Sequence, residues 1–195
     1  MVATKYLKQN KIMTDDEFFA FCQSAEMRDK RIERHKNGKI TIMQPTGGTT
    51  GSFNSEISGE VRNWNKETNS GRTFDSSTGF ILPNTAIKSS DTAWIMRERW
   101  EALPEAVREK FPPITPDFII EIRSKSDSLS ELKEKMEEFM ANGCRLGWLI
   151  DRKQECIYIY RGDGSRDIVD SFEKVLSGED VLVGFQLRIA DLEWE

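Results

Sequence analysis

Residues 116–151 constrain the fold more than any other part of the chain. They read Pro-Asp-Phe-Ile-Ile-Glu-Ile-Arg-Ser, then a charged helical stretch, then Gly-Trp-Leu-Ile-Asp. Phe118, Ile119, Ile120 and Ile122 have the continuous apolar character of a strand covered on both faces. Leu146 to Ile150 repeats it, and the intervening residues 129–140 carry an amphipathic helix, so the stretch predicts a strand–helix–strand unit. Glu121 breaks the pattern. A carboxylate inside such a strand must find a cation or hydrogen-bond donors. Two readings stand: a strand-end glutamate satisfied by an arginine or the backbone, and a metal ligand.

The remaining segments predict a mixed sheet with helices. Thr14-Asp-Asp-Glu17 is a capping box that opens a helix through Phe18, Phe19 and Phe21 to about Ala25. Asn37-Gly38 between residues 31–36 and 39–43 is a hairpin signal. Gly47-Gly48-Thr-Thr-Gly51 reads as a flexible entry to a helix marked by Phe53, Ile57, Val61 and Trp64, with Gly71 where the chain leaves it. Short strands are expected at 73–77, 80–82, 87 and 91–95, and an amphipathic segment at 97–111. Residues 156–160 should pair with 146–150 through the turn at 151–155. Edge strands are expected among 167–169, 181–183 and 185–189. The whole is read as one domain over residues 1–195, with a core of about 14–192, of α/β (α+β) class.

Composition narrows the chemistry. The chain has 195 residues and a single histidine, His35, so a zinc site or a histidine-based triad is not expected. A metal would be held by oxygen ligands, which favours Mg²⁺ or Mn²⁺. Cys22, Cys144 and Cys156 form no CxxC and are read as reduced thiols of a cytoplasmic protein. No apolar run reaches the roughly 18 residues of a membrane helix, and the first residues lack a signal-peptide core. A net charge of −5 argues against strong non-specific nucleic-acid binding while leaving room for a locally basic cleft. The five tryptophans are read as core or interface residues.

Three acids stand on or beside predicted strands: Glu33, Asp91 and Glu121. Strand-borne carboxylates brought close together repel and are comfortable only around a cation. A divalent ion held there can activate water and neutralise a phosphate. The plainer readings place Asp91 at a strand start, Glu33 opposite Lys39 on the hairpin surface, and Asp117 at a strand entrance.

The order of segments resembles the Uma-two family, endonucleases of the PD-(D/E)XK superfamily with a restriction-endonuclease-like fold. The likeness runs from Thr14 to Leu192. It rests on Ile32-Glu33 with Asn37-Gly38, on Ser90-Asp91-Thr-Ala-Trp-Ile, and on Pro116-Asp117-Phe-Ile-Ile-Glu121-Ile-Arg-Ser124. It continues through Ser126-Asp-Ser128, Lys135 with Phe139, Asn142-Gly143, Trp148-Leu-Ile-Asp151 and Gly184-Phe-Gln-Leu. The resemblance implies that Asp91 and Glu121 are the metal ligands, with Glu33, Asp91, Glu121 and Lys135 as catalytic residues. In the superfamily pattern a lysine follows the second acid by two residues. Arg123 stands there, and the family implies a lysine migrated to the next helix, where Lys135 matches. Ser90 replaces a frequent proline, and Leu146-Gly147 an acidic–aromatic pair.

The implied activity is Mg²⁺- or Mn²⁺-dependent hydrolysis of DNA, with DNA as partner, no membrane partner, and room for a homodimer. Two other readings remain: a non-catalytic nucleic-acid-binding or regulatory protein that keeps the fold, and a hydrolase of a small phosphorylated substrate. On the helix, Lys135 falls at one edge of the stripe formed by Leu129, Leu132, Met136, Phe139 and Met140. Its rivals are Arg123, which shares the face of Glu121, Lys133 at the opposite edge, and a surface pair with Glu131.

Overall fold

The elements follow from local sequence signals, and a computed structural model describes them over residues 5–7 and 12–193. The N-terminal part contains β1 (Lys5–Leu7), α1 (Asp15–Cys22), the hairpin β2 (Arg31–Arg34) and β3 (Ile40–Met43), and α2 (Gly48–Thr68). Thr14 and Glu17 form the reciprocal capping box that starts α1. Gly38, at φ 80°, makes the hairpin turn. The middle holds β4 (Gly71–Asp75), β5 (Phe80–Ile81), β6 (Ile87–Lys88), β7 (Thr92–Met96) and the short helices α3 (Arg97–Glu101) and α4 (Glu105–Arg108). Then come β8 (Phe118–Arg123), α5 (Leu129–Ala141), β9 (Leu146–Asp151), β10 (Cys156–Arg161), β11 (Arg166–Val169), β12 (Val175–Ser177) and β13 (Gln186–Arg188).

The main sheet has the order β11-β10-β9-β8-β7-β4. Only β8 and β9 run parallel, as a crossover through α5 requires, and the other neighbours are antiparallel. Alternation along β8 splits its side chains between two apolar layers. Phe118, Ile120 and Ile122 pack with Phe53, Ile57 and Val61 of α2. Ile119 faces the other way, against Met136 and Phe139 of α5. The hairpin β12–β13 completes the α2 layer with Leu176 and Leu187. A second sheet, β1-β3-β2-β6-β5, is organised on Phe18, Ile32, Ile40, Ile42 and Ile87. Its strand β6 runs through Ser89 and Ser90 into β7, so the two sheets meet beside Asp91. This is the mixed α+β architecture that the sequence predicts.

Several boundaries differ from the sequence expectation, each for a physical reason. Gly48 to Gly51 is the first turn of α2 rather than a loop, because the helix gains its stability from the apolar stripe that follows. The helix ends at Thr68, where Asn69 adopts the left-handed conformation at φ 53°. Gly71 lies in β4 and serves packing: a Cβ there would stand 2.3 Å from the Ile95 carbonyl and 2.4 Å from the Trp94 ring. Residues 181–183 are not a strand, while β12 forms at 175–177. Trp94 and Trp148 are core residues, as expected. Trp194 and the opening residues scanned for a signal segment, β1 apart, lie outside the described residues.

Candidate functional site

Strand register brings the first two acids together. Thr92 pairs with Ile120 and Ala93 with Ile119, so one more step along β7 and β8 sets Asp91 beside Glu121. Asp91 Oδ2 also accepts the backbone N–H of Ile122, the residue after Glu121, at 2.8 Å. By alternation both carboxylates belong to the face covered by α5, the side of Ala93 and Ile119.

Glu33 and Lys135 complete the cluster from two other elements. The hairpin sets Glu33 opposite Thr41, not Lys39, and buries it to 4% exposure, which removes the surface reading. Helix α5 is capped by Ser128, whose side chain accepts the Glu131 N–H, and anchors on Met136 and Phe139. That phase sends Lys135 inward. Its Nζ lies 2.8 Å from Glu121 Oε1 and 2.9 Å from Glu33 Oε1. The contact to Glu121 is electrostatic: Oε1 is buried with no donor aligned on it. Lys133 instead covers the Tyr158 ring, 4.0 Å from its centroid.

Arg123 takes no part. It lies opposite Asp151 in the β8–β9 register and donates to Asp151 Oδ2 at 2.6 Å, satisfying a fully buried carboxylate. Asp117 is likewise structural: Oδ2 accepts the Met96 N–H at 2.9 Å, and Oδ1 pairs with Arg99 at 2.7 Å.

The architecture and the acid cluster invite comparison with known proteins. Residues 15–190 match the model of the Uma2 family, described as "Putative restriction endonuclease". The chain belongs to that family. Among solved structures, this Uma2 chain is similar to the crystal structure titled "a putative nuclease belonging to DUF820" from Anabaena variabilis, with a TM-score of 0.73. The two are 22% identical, and the alignment covers 92% of this chain and 97% of that one, a likeness of fold. No curated protein matches.

Sequence reasoning missed two cations of the cluster. Arg31, two residues before Glu33 and so on its face of β2, donates to Asp91 Oδ1 at 2.9 Å and to Ser89 Oγ at 2.9 Å. Lys88, at the end of β6, is buried between Glu33 Oε2 at 3.3 Å and Glu138 Oε2 at 3.4 Å, with His35 Nδ1 at 3.2 Å. The i, i+2 spacing of Arg31 and Glu33 was the available signal. Lys88 had none, because a short strand of a second sheet delivers it.

Charge distribution in this cluster is uneven. Burial opposes ionisation of Glu33, but Lys135, Lys88 and Arg31 outweigh it and hold its carboxyl well below the usual range. Glu121 has Lys135 in contact and Arg31 acting on it less strongly, and stands beside Asp91. Burial, with Asp91 adding to it against the pull of Lys135, pushes its carboxyl up to about 7. Lys135 is also buried, yet Glu121 and Glu33 keep it protonated above the ordinary lysine range. Buried ion pairs are a poor source of stability, since desolvation offsets most of their attraction. A concentrated set with opposed shifts makes this cluster the candidate site.

Among the described residues, no three His, Cys, Asp or Glu side chains form a metal-binding group. Asp91 and Glu121 place two buried carboxylates with hard oxygen donors side by side, Glu121 Oε1 lying against Lys135 Nζ at 2.8 Å. Mg²⁺ binds through one or two carboxylates, with water and phosphate supplying the rest. The donor set fits such an ion.

Proposed function

We propose that this Uma2 protein is a Mg²⁺- or Mn²⁺-dependent nuclease of the PD-(D/E)XK type that hydrolyses phosphodiester bonds of DNA. The observation that carries the reading is Lys135 held between Glu33 and Glu121 while Asp91 and Glu121 sit side by side. Asp91 and Glu121 would hold the ion. When bound, the ion lowers the pKa of an attacking water and takes up charge on the phosphate.

The protein's own residues do the rest. Lys135 stays protonated, so it acts as a donor that orients the water and stabilises charge developing on the phosphate, not as a base. Glu33 stays ionised and fixes Lys135, with Lys88 holding Glu33 from the other side. A role for Glu33 toward a second ion belongs to the same reading. Three free cysteines suit a reducing cytoplasm, and no helix among the described residues is long and apolar enough to cross a membrane. Assembly as a homodimer is part of the proposal and is read by sedimentation.

The test is cleavage of supercoiled and linear DNA with Mg²⁺, Mn²⁺ or EDTA, beside Asp91→Asn and Glu121→Gln. The expected result is metal-dependent cutting, lost about 100-fold or more in both variants. Equal cutting by the variants would overturn the assignment. A non-catalytic, nucleic-acid-binding role draws on a specific feature: both Asp91 oxygens are already engaged, by Arg31 and by Ile122. Binding of DNA without cutting under any metal would favour it.

A further inference from the structure

Arg31 differs from the other two cations of the cluster. Lys135 is clamped between Glu33 and Glu121, and Lys88 between Glu33 and Glu138. The side chain of Arg31 meets one carboxylate, Asp91, and is 25% exposed, against 11% for Lys135 and 3% for Lys88. Its remaining bonds go to Ser89: Nε to Oγ at 2.9 Å and Nη2 to the carbonyl oxygen at 3.4 Å. The guanidinium is thus held along its Nε and Nη2 by a neutral residue, and Nη1 meets an acid expected to hold metal.

That arrangement is unstable toward a divalent cation. A guanidinium cannot lose its proton to make room, so it must move when a second positive charge takes Asp91. Of the three cations it has the most solvent access and the fewest carboxylates to leave. The charge count points the same way. Four carboxylates face three cations here, so a doubly charged ion leaves the ionised cluster one charge positive, and a phosphodiester monoanion cancels it. The planar fork of arginine matches two phosphate oxygens.

Building on the nuclease reading, we propose that Arg31 is a metal-displaced catalytic residue: it caps Asp91 before the ion arrives, yields to it, and then grips the scissile phosphate. The Ser89 tether keeps the side chain within reach of Asp91 while the Nη1 contact is exchanged. Arg31 therefore opposes metal binding and favours turnover, two effects that a merely structural arginine would not combine.

Free Mn²⁺ measured by electron paramagnetic resonance gives the affinity of wild type, Arg31→Ala and Arg31→Lys, and plasmid cleavage at saturating Mn²⁺ gives the rate. Arg31→Ala is expected to bind Mn²⁺ several-fold more tightly yet cut about 100-fold more slowly, the loss lying in kcat. Arg31→Lys keeps the charge without the fork, so its Mn²⁺ affinity should stay near wild type while its rate falls. Unchanged or weaker Mn²⁺ binding by Arg31→Ala, or wild-type cutting by either variant, overturns the proposal. If Arg31→Ala does not fold, the Arg31→Lys rate decides. Wild-type protein that neither binds Mn²⁺ nor cuts DNA would instead bring down the nuclease reading on which this rests.

Discussion

Asp91 accepts the backbone N–H of Ile122 at 2.8 Å, which stitches the start of β7 to β8 beside Glu121. This bond fixes the Asp91 carboxylate against the backbone of the residue next to Glu121 without involving either strand's apolar side chains. The acid pair is therefore held by the register of the sheet, and the cations that surround it come from outside that sheet or from α5.

Lys135→Ala should abolish metal-dependent cutting, while Arg123→Ala should cut at a rate near wild type. Lys135 spans Glu33 and Glu121, whereas Arg123 is committed to Asp151. Both variants leave a buried carboxylate short of its cation, so each should lose on the order of 3 kcal/mol of stability. Cleavage rates measured beside urea denaturation separate the two roles. An inactive Arg123→Ala beside an active Lys135→Ala would refute the assignment.

Glu33→Gln should leave the fold intact and slow cleavage by about tenfold or more, because Lys135 loses one of the two charges that place it. Lys88 would retain Glu138. Circular dichroism checks the fold and a plasmid assay the rate. A rate equal to wild type would show that Glu121 alone positions Lys135.

Stability should depend on pH through Glu121. Its carboxyl titrates near 7 in the folded protein, raised by burial and by Asp91, against roughly 4.3 in an unfolded chain. Between those values the folded state binds the extra proton, so this group's contribution is fully present below the unfolded pKa and is lost as pH rises through about 7. Glu121→Gln, a neutral mimic of the protonated form, should gain stability over wild type at pH 8 relative to pH 5. Denaturation in EDTA at both pH values tests this, and an equal difference at each would contradict it.

Gly71→Ala should destabilise the protein by about 1–3 kcal/mol, since the new methyl meets the Ile95 carbonyl and the Trp94 ring rather than open space. Thermal denaturation is the measurement. An unchanged midpoint would mean that β4 can shift away from β7 at no cost.

What the sequence made legible was whatever depends on local pattern. The apolar runs of β8 and β9, the stripe of α5 and the Asn37-Gly38 turn carry their own signals, and so predicted the strand–helix–strand unit and the hairpin. Residue positions along those elements also placed Glu121 and Lys135 on faces from which they meet. Long-range charge pairing was not legible. Nothing near Arg31 marks Asp91, 60 residues away, as its partner, and Lys88 reaches Glu33 because the two-residue strand β6 pairs with β2 within the second sheet. Arg123 shows the converse: alternation puts it on the face of Glu121, but Asp151 on the neighbouring strand captures it. The boundaries that moved, at Gly48 and Gly71, were set by tertiary packing that outweighs the usual bias of glycine toward loops.

The central claim is that Asp91 and Glu121 share one divalent ion. Anomalous diffraction from crystals soaked in Mn²⁺ tests it most directly. The account predicts a strong peak about 2.0–2.4 Å from an oxygen of each carboxylate, with Arg31 withdrawn from Asp91. Crystals that show no peak there, with Arg31 still on Asp91 and Lys135 still between Glu33 and Glu121, would contradict it.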